Sequence, residues 1–162
     1  MTRTIPPPSV PVTSMFTIWS QPQVTMTITT TPTAVAGPDI IIPASYLPAG
    51  APITRVELLM KYRKVMDTSG LDNKLSGNLN VQVKESVAGS FTTGISLKDD
   101  MMLVAADGES GGDMLVGAAD VKAEVAADDK TYNTQIALAV SDGNNLVLKD
   151  IQFGVRFYIR VL

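Results

Sequence analysis

Apolar and polar residues alternate with a period of two along most of the chain from residue 53 onward. In ITRVELLMKYRKV, Val56, Leu58, Met60 and Tyr62 share one face, while Arg55, Glu57, Lys61 and Arg63 share the other, with Leu59 as the exception. Such alternation predicts a strand with one buried side. LNVQVKE turns Leu79, Val81 and Val83 inward; Phe91, Thr93 and Ile95 alternate after the Ala88-Gly89 turn; and Val121, Ala123 and Val125 read as a further piece. TYNTQIALAV sets Tyr132, Ile136, Leu138 and Val140 against Asn133 and Gln135. Leu146 to Lys149 reads as a brief strand. In IQFGVRFYIRV the odd positions from Ile151 to Val161 form one apolar face, whereas a helix would scatter them around its circumference. A strand of that length belongs in the middle of a sheet, where neighbours on both sides satisfy its backbone groups.

Turn-forming clusters separate these pieces: DTSGLDN at 67–73, DGESGGD at 107–113, Asp128-Asp129 and SDGNN at 141–145. Between the first two, Met101 to Ala106 is apolar, and DDMMLVAA also admits a short helix. Met114 to Val116 is a brief strand or a connection. The expected class is therefore all-β, an antiparallel two-sheet sandwich of jelly-roll-like or other Greek-key topology with an extended N-terminal arm, and a closed barrel as the alternative.

Composition changes sharply near Pro52. All ten prolines precede Ile53, and of the 13 basic and 16 acidic residues only Arg3 and Asp39 lie there. Proline removes a backbone donor and restricts its neighbour, which favours extended pieces, edge strands and turns. Yet Met15, Phe16, Ile18 and Trp19, then Val24, Met26 and Ile28 in VTMTITTT, are too apolar and too poor in charge for an ordinary disordered tether. We divide the chain into a proline-marked arm with short strands, residues 1–52, and a β-sandwich body, residues 53–162. The arm adds strands to this domain or to a neighbour; strands wholly inside the sandwich and a tail ordered only on binding are the other two readings.

The chemistry available is limited. The chain has no Cys and no His, which removes disulfides, thiolate metal sites, cysteine nucleophiles and the usual base near neutral pH. GESGG at 108–112 is similar to the nucleophile surround of trypsin-like serine proteases, with Ser110 in the nucleophile position, but Glu109 stands where that family has Asp and no His can act as base. Asp99 with Asp100, Asp107 with Glu109 and Asp113, and Asp128 with Asp129 match no twelve-residue calcium loop and read as solvated turns. No phosphate-binding glycine motif occurs. We expect no enzyme, no cofactor and no metal. Net charge is −3, so no direct nucleic-acid partner is expected; Lys61, Arg63 and Lys64 read as the wet face of a strand. MTRTIPPPSVP lacks a secretory apolar core, and no apolar run approaches the ~20 residues of a membrane helix.

What remains is a contact role centred on the uncharged segment. Threonines satisfy hydrogen bonds without the desolvation cost of an ion, and Phe16, Ile18, Trp19, Val24, Met26, Ile28, Ile40, Ile41 and Ile42 are the candidate partner-binding side chains. With PPPSVPVTSMFTIW at the start and a β body ending in DIQFGVRFYIRVL, the layout resembles a decoration or cement protein, an auxiliary capsid protein of a tailed phage or related double-stranded DNA virus. The resemblance implies a structural protein of the virion, assembled in the host cytoplasm, that stabilises the shell through its arm and by self-association. It implies a major capsid or other virion protein as partner, and a homo-oligomer, a trimer in preference to a dimer. A receptor- or carbohydrate-binding β module and a tail or fibre component are the alternatives.

Overall fold

The computed structural model describes residues 12–29, 31, 33–62, 64–67, 73–74, 79–86, 89–97, 103–104, 113–137 and 145–161. The turns expected within 68–72 and 141–144, the inward positions Leu138 and Val140, and most of the stretch from Lys98 to Gly112 lie outside them. Among the described residues there is no helix. The strands are β1 (Val12–Trp19), β2 (Gln23–Ile28), β3 (Val35–Ala36), β4 (Ile40–Ile42), β5 (Ile53–Tyr62), β6 (Lys64–Asp67), β7 (Asn73–Lys74), β8 (Leu79–Glu85), β9 (Thr92–Leu97), β10 (Leu103–Val104), β11 (Asp113–Val116), β12 (Lys130–Ala137) and β13 (Leu146–Val161).

Two antiparallel sheets pack face to face, as a β-sandwich requires. In the six-stranded sheet the order is β1-β13-β5-β11, with β2 and β6 flanking the first part of β13. The five-stranded sheet runs β3-β12-β8-β9, with β4 beside β12; β7 and β10 form a separate pair. Between the layers, Val56, Leu58 and Met60 of β5 meet Leu79, Val81 and Val83 of β8, Tyr132 and Ile136 of β12, and Phe153, Val155, Phe157 and Ile159 of β13, all essentially inaccessible. These are the inward positions of the alternating pattern.

The compositional boundary at Pro52 does not divide the sheets. β1 pairs with β13 from Val12↔Val161 to Trp19↔Gly154, and β2 continues beside it from Gln23↔Ile151 to Ile28↔Leu146. β3 and β4 pair with β12. The first segment thus contributes strands to both layers and side chains to the common core. At the β1–β2 junction Ser20 carries the ladder: its N–H donates to Phe153 O at 2.7 Å, and its Oγ accepts from Phe153 N at 3.1 Å. Pro22, which has no N–H to offer, falls in this break.

Two local readings are corrected. Val121 to Val125 is not a strand: 122–124 is a turn, and the N–H of Val125 donates to Val121 O at 2.9 Å, which closes one helical turn. Val121 and Val125 are both buried while Ala123 is exposed, because residues four apart share a face in a turn of this kind. Leu146–Lys149 is not a separate strand either. It is continuous with the terminal strand through Asp150, whose φ of 47° twists the chain so that Leu148 and Ile151, three residues apart, both face the core.

The centre of β13 sets the first prediction. Phe157 is fully buried, and Phe157→Ala leaves a cavity at an expected cost of about 3–5 kcal/mol. Arg156 points to the opposite face, and Arg156→Ala leaves no comparable void. Urea titration of the two variants checks the order of the losses; equal losses would mean that the faces are wrongly assigned.

Candidate interaction face

Alternation sends every second residue of the six-stranded sheet to its outer surface, and the register lines them up in rows. One row is Met15–Tyr158–Arg55, the next Thr17–Arg156–Glu57, the next Trp19–Gly154–Leu59–Val116, and beyond it Gln152–Lys61–Met114. Trp19 depends on the absence of a side chain opposite it. A Cβ placed on Gly154 would lie 2.7 Å from Trp19 Cε3 and 2.9 Å from Ile18 O, so the indole lies over the glycine. Lys61 Nζ stands 4.0 Å from the centre of the Trp19 ring, a cation–π contact. Leu59, the exception in the alternating pattern, is fully buried on this outer side, one position along the row from Gly154.

Beside it, Glu57 is buried under its own partners. Tyr158 donates from its hydroxyl to Oε2 at 2.7 Å, Arg55 Nε stands 3.2 Å from Oε1, and Arg156 Nη1 stands 3.5 Å from Oε2. Arg55 Nε makes an ion pair there without the alignment of a hydrogen bond; its other end donates to Ala118 O at 3.0 Å. One carboxylate shared by two guanidinium groups and a phenol leaves positive charge in excess. Among the described residues of these rows and the adjoining Thr13–Arg160 pair, Arg55, Lys61, Arg156 and Arg160 against Glu57 give a balance of +3, in a chain whose net charge is −3. Around these groups Met15, Met114 and Val116 are exposed at 62%, 50% and 45%.

Of the nine side chains expected to bind a partner, eight are described and fall into three groups. Ile18, Met26, Ile28, Ile40 and Ile42 are buried in this chain's own core, because β1, β2 and β4 are strands of its own sheets; as the chain is folded here they are occupied. Phe16 packs against the core and Trp19 against Gly154, both partly buried, and Ile41 points outward at 62% exposure. Of Val24, only the backbone in β2 lies within the description. Sequence reasoning assigned no contact role to Met15, Met114 and Val116; the one signal was that Met15 alternates with Phe16 on a strand with no charge.

Of the acidic groups, Asp99, Asp100, Asp107 and Glu109 lie outside the described residues, with Ser110, as do the side chains of Asp113 and Lys64 and all of Arg63. Asp128 lines an open concavity of about 530 Å³ formed with Leu47, Pro48, Ala51, Ile53 and Ala127, and Asp129 beside it has a φ of 55°. Among the described residues no three His, Cys, Asp or Glu side chains stand close enough to hold a metal ion, and no helix is long and apolar enough to cross a membrane. No protein-family model matches the chain, and no curated protein matches its sequence.

Because Trp19 is the sole tryptophan, its fluorescence reports on this face alone. Gly154→Ala should push the indole off the sheet, shift its emission to longer wavelength and cost about 1–3 kcal/mol, the usual range for overpacking. An unchanged spectrum and stability would show that Trp19 does not rest on Gly154.

Proposed function

We propose that this chain is a non-enzymatic structural protein of a virion, which binds and stabilises a capsid shell and associates with its own copies. The observation that supports this reading is the character of the first segment. Residues 12–42 carry one charged side chain, Asp39, yet form strands at the margins of both sheets. Uncharged margins suit a protein that is packed against others, since charge on an edge strand is a common device for keeping monomers apart. Ile41, exposed on β4, is the contact residue of the nine that owes nothing to the core, and Trp19 is partly exposed on the outer face of β1. The major capsid protein is the partner proposed.

A carbohydrate-binding reading would use Trp19 as a stacking platform. The Lys61 ammonium stands 4.0 Å from the centre of the Trp19 ring and competes with a sugar for that face.

Co-sedimentation on capsid shells stripped of auxiliary proteins tests the proposal. The wild type should pellet saturably with the shells. Ile41→Lys should pellet at least tenfold more weakly with its melting temperature unchanged, since the side chain is outside the core. A wild type left wholly in the supernatant would refute the shell-binding role.

A further inference from the structure

β1 is an outermost strand of the six-stranded sheet, and among the described residues no strand pairs with its outward backbone edge. Ser20 and Phe153 form a hydrogen-bonded pair, so by the antiparallel alternation Ile18, Phe16 and Ser14 direct their N–H and C=O groups at β13. Thr13, Met15, Thr17 and Trp19 direct theirs away from it. The one described group on that edge is the Tyr46 hydroxyl, which donates to Thr17 O at a long 3.3 Å. A carbonyl oxygen has a second lone pair, so this contact leaves room for another donor.

We propose that this edge pairs with the same edge of a second copy, antiparallel about a two-fold axis beside Phe16, so that the six-stranded sheets of two copies become one. This names the partner in the self-association proposed above and rests on that reading. Free backbone groups call for a strand, and the strand VTSMFTIW suits its own copy: it contains no proline and no charge, so two copies meet without a like-charge pair along the seam.

The register follows from overlap and from the rows of the outer face. Outward-directed residues must meet outward-directed residues, which restricts the axis to a few positions. An axis beside Phe16 pairs Met15 with Thr17 and Thr13 with Trp19, each twice, and uses the whole outward edge. It also sets Arg156, next to Thr17, in line with the copy's Tyr158, and Arg160, next to Thr13, in line with the copy's Gly154. An axis one residue earlier would put Arg160 in a row with the copy's Arg156, and one residue later would put Arg156 in a row with itself. Such an isologous contact closes after two copies.

Sedimentation velocity of the full chain over a concentration series should show a monomer–dimer equilibrium. Met15→Lys keeps the core intact, since Met15 is 62% exposed, and sets a cation at the seam; it should weaken the dimer at least tenfold with an unchanged melting temperature. The register is read separately, using the absence of native cysteine. Met15→Cys and Thr17→Cys, mixed and oxidised, should form an intermolecular disulfide, because facing Cα atoms in such a pair are about 5.5 Å apart. Either variant alone should not, its own copy lying about 8 Å away. A wild type that stays monomeric at every concentration, a Met15→Lys dimer of undiminished affinity, or disulfides forming equally in the unmixed samples would each overturn the proposal. Shell binding is measured on its own, so a dimer that ignores shells would sink the capsid role and leave this edge pairing standing.

Discussion

A strand of 16 residues at the centre of a sheet cannot be left with one side bare, and this requirement organises the whole molecule. β13 buries Phe153, Val155, Phe157 and Ile159 against the second layer, so its backbone groups lie where water cannot replace a lost partner. On one side they are met by β5 and β6, on the other by β1 and β2. The last strand of the chain is therefore completed by the first two. This gives the proline-marked segment a structural task. It has to be extended and it must carry inward apolar residues at every second position, as Ile18, Met26 and Ile28 do. Among the described residues its prolines fall where no strand runs, and at Pro22 a serine side chain and backbone take over the pairing.

The outer surface of the same sheet solves a different problem. A tryptophan at the end of β1 would stand exposed on a sheet of ordinary side chains, but Gly154 opens a place for it and Lys61 closes over it. Glu57, in the next row, is equally dependent on neighbours: three donors or cations surround a carboxylate that would otherwise be costly to bury. These contacts hold the outer face by polar and cation–π interactions, whereas dispersion and hydrophobic burial hold the inner one. Arg55 and Arg156, both drawn to Glu57, leave one positive charge beyond that of the carboxylate they cover.

Much of this was legible in the residues. Period-two alternation located β5, β8, β12 and β13 and chose the correct inward face for each, because burial on one side of a pleated strand leaves that mark directly in sequence. It failed at Val121, Ala123 and Val125, where apolar residues spaced two apart fit a strand equally well; the distinction lies in Ala123, too small to declare whether it faces the core or the solvent. It also failed at Asp150, since nothing in LKDIQ separates a break between two strands from a twist within one. The absence of charge around Ile18, Met26, Ile28, Ile40 and Ile42 was read as a surface for a partner. Absence of charge is equally the mark of burial, and the two meanings part only when the pairing of β1, β2 and β4 with β13 and β12 is known. Gly154 could not be interpreted alone, because its purpose is the ring of a residue 135 positions away in sequence.

Edges are where a sandwich is vulnerable to unwanted pairing, and the way this chain treats its edges differs from place to place. Beyond the end of β11 the exposed side of β5 is covered by the following segment: Gly117 and Val121 donate to the carbonyls of Leu58 and Val56, and the Asp120 carboxylate accepts the Val56 N–H. β11 itself is four residues long, and β3 and β4 are shorter still and separated by Gly37 and Pro38. Each of these follows a known route to a blunted edge: covering, shortness or interruption. Among the described residues β1 has only the Tyr46 hydroxyl against its outward edge along its eight residues. A chain that guards the side of β5 with a dedicated loop and a carboxylate has the means to guard β1, where a single lysine would suffice. In the pairing we propose, the outward edge of β1 offers what a second strand needs in order to pair with it, since it is neutral, extended and free of proline.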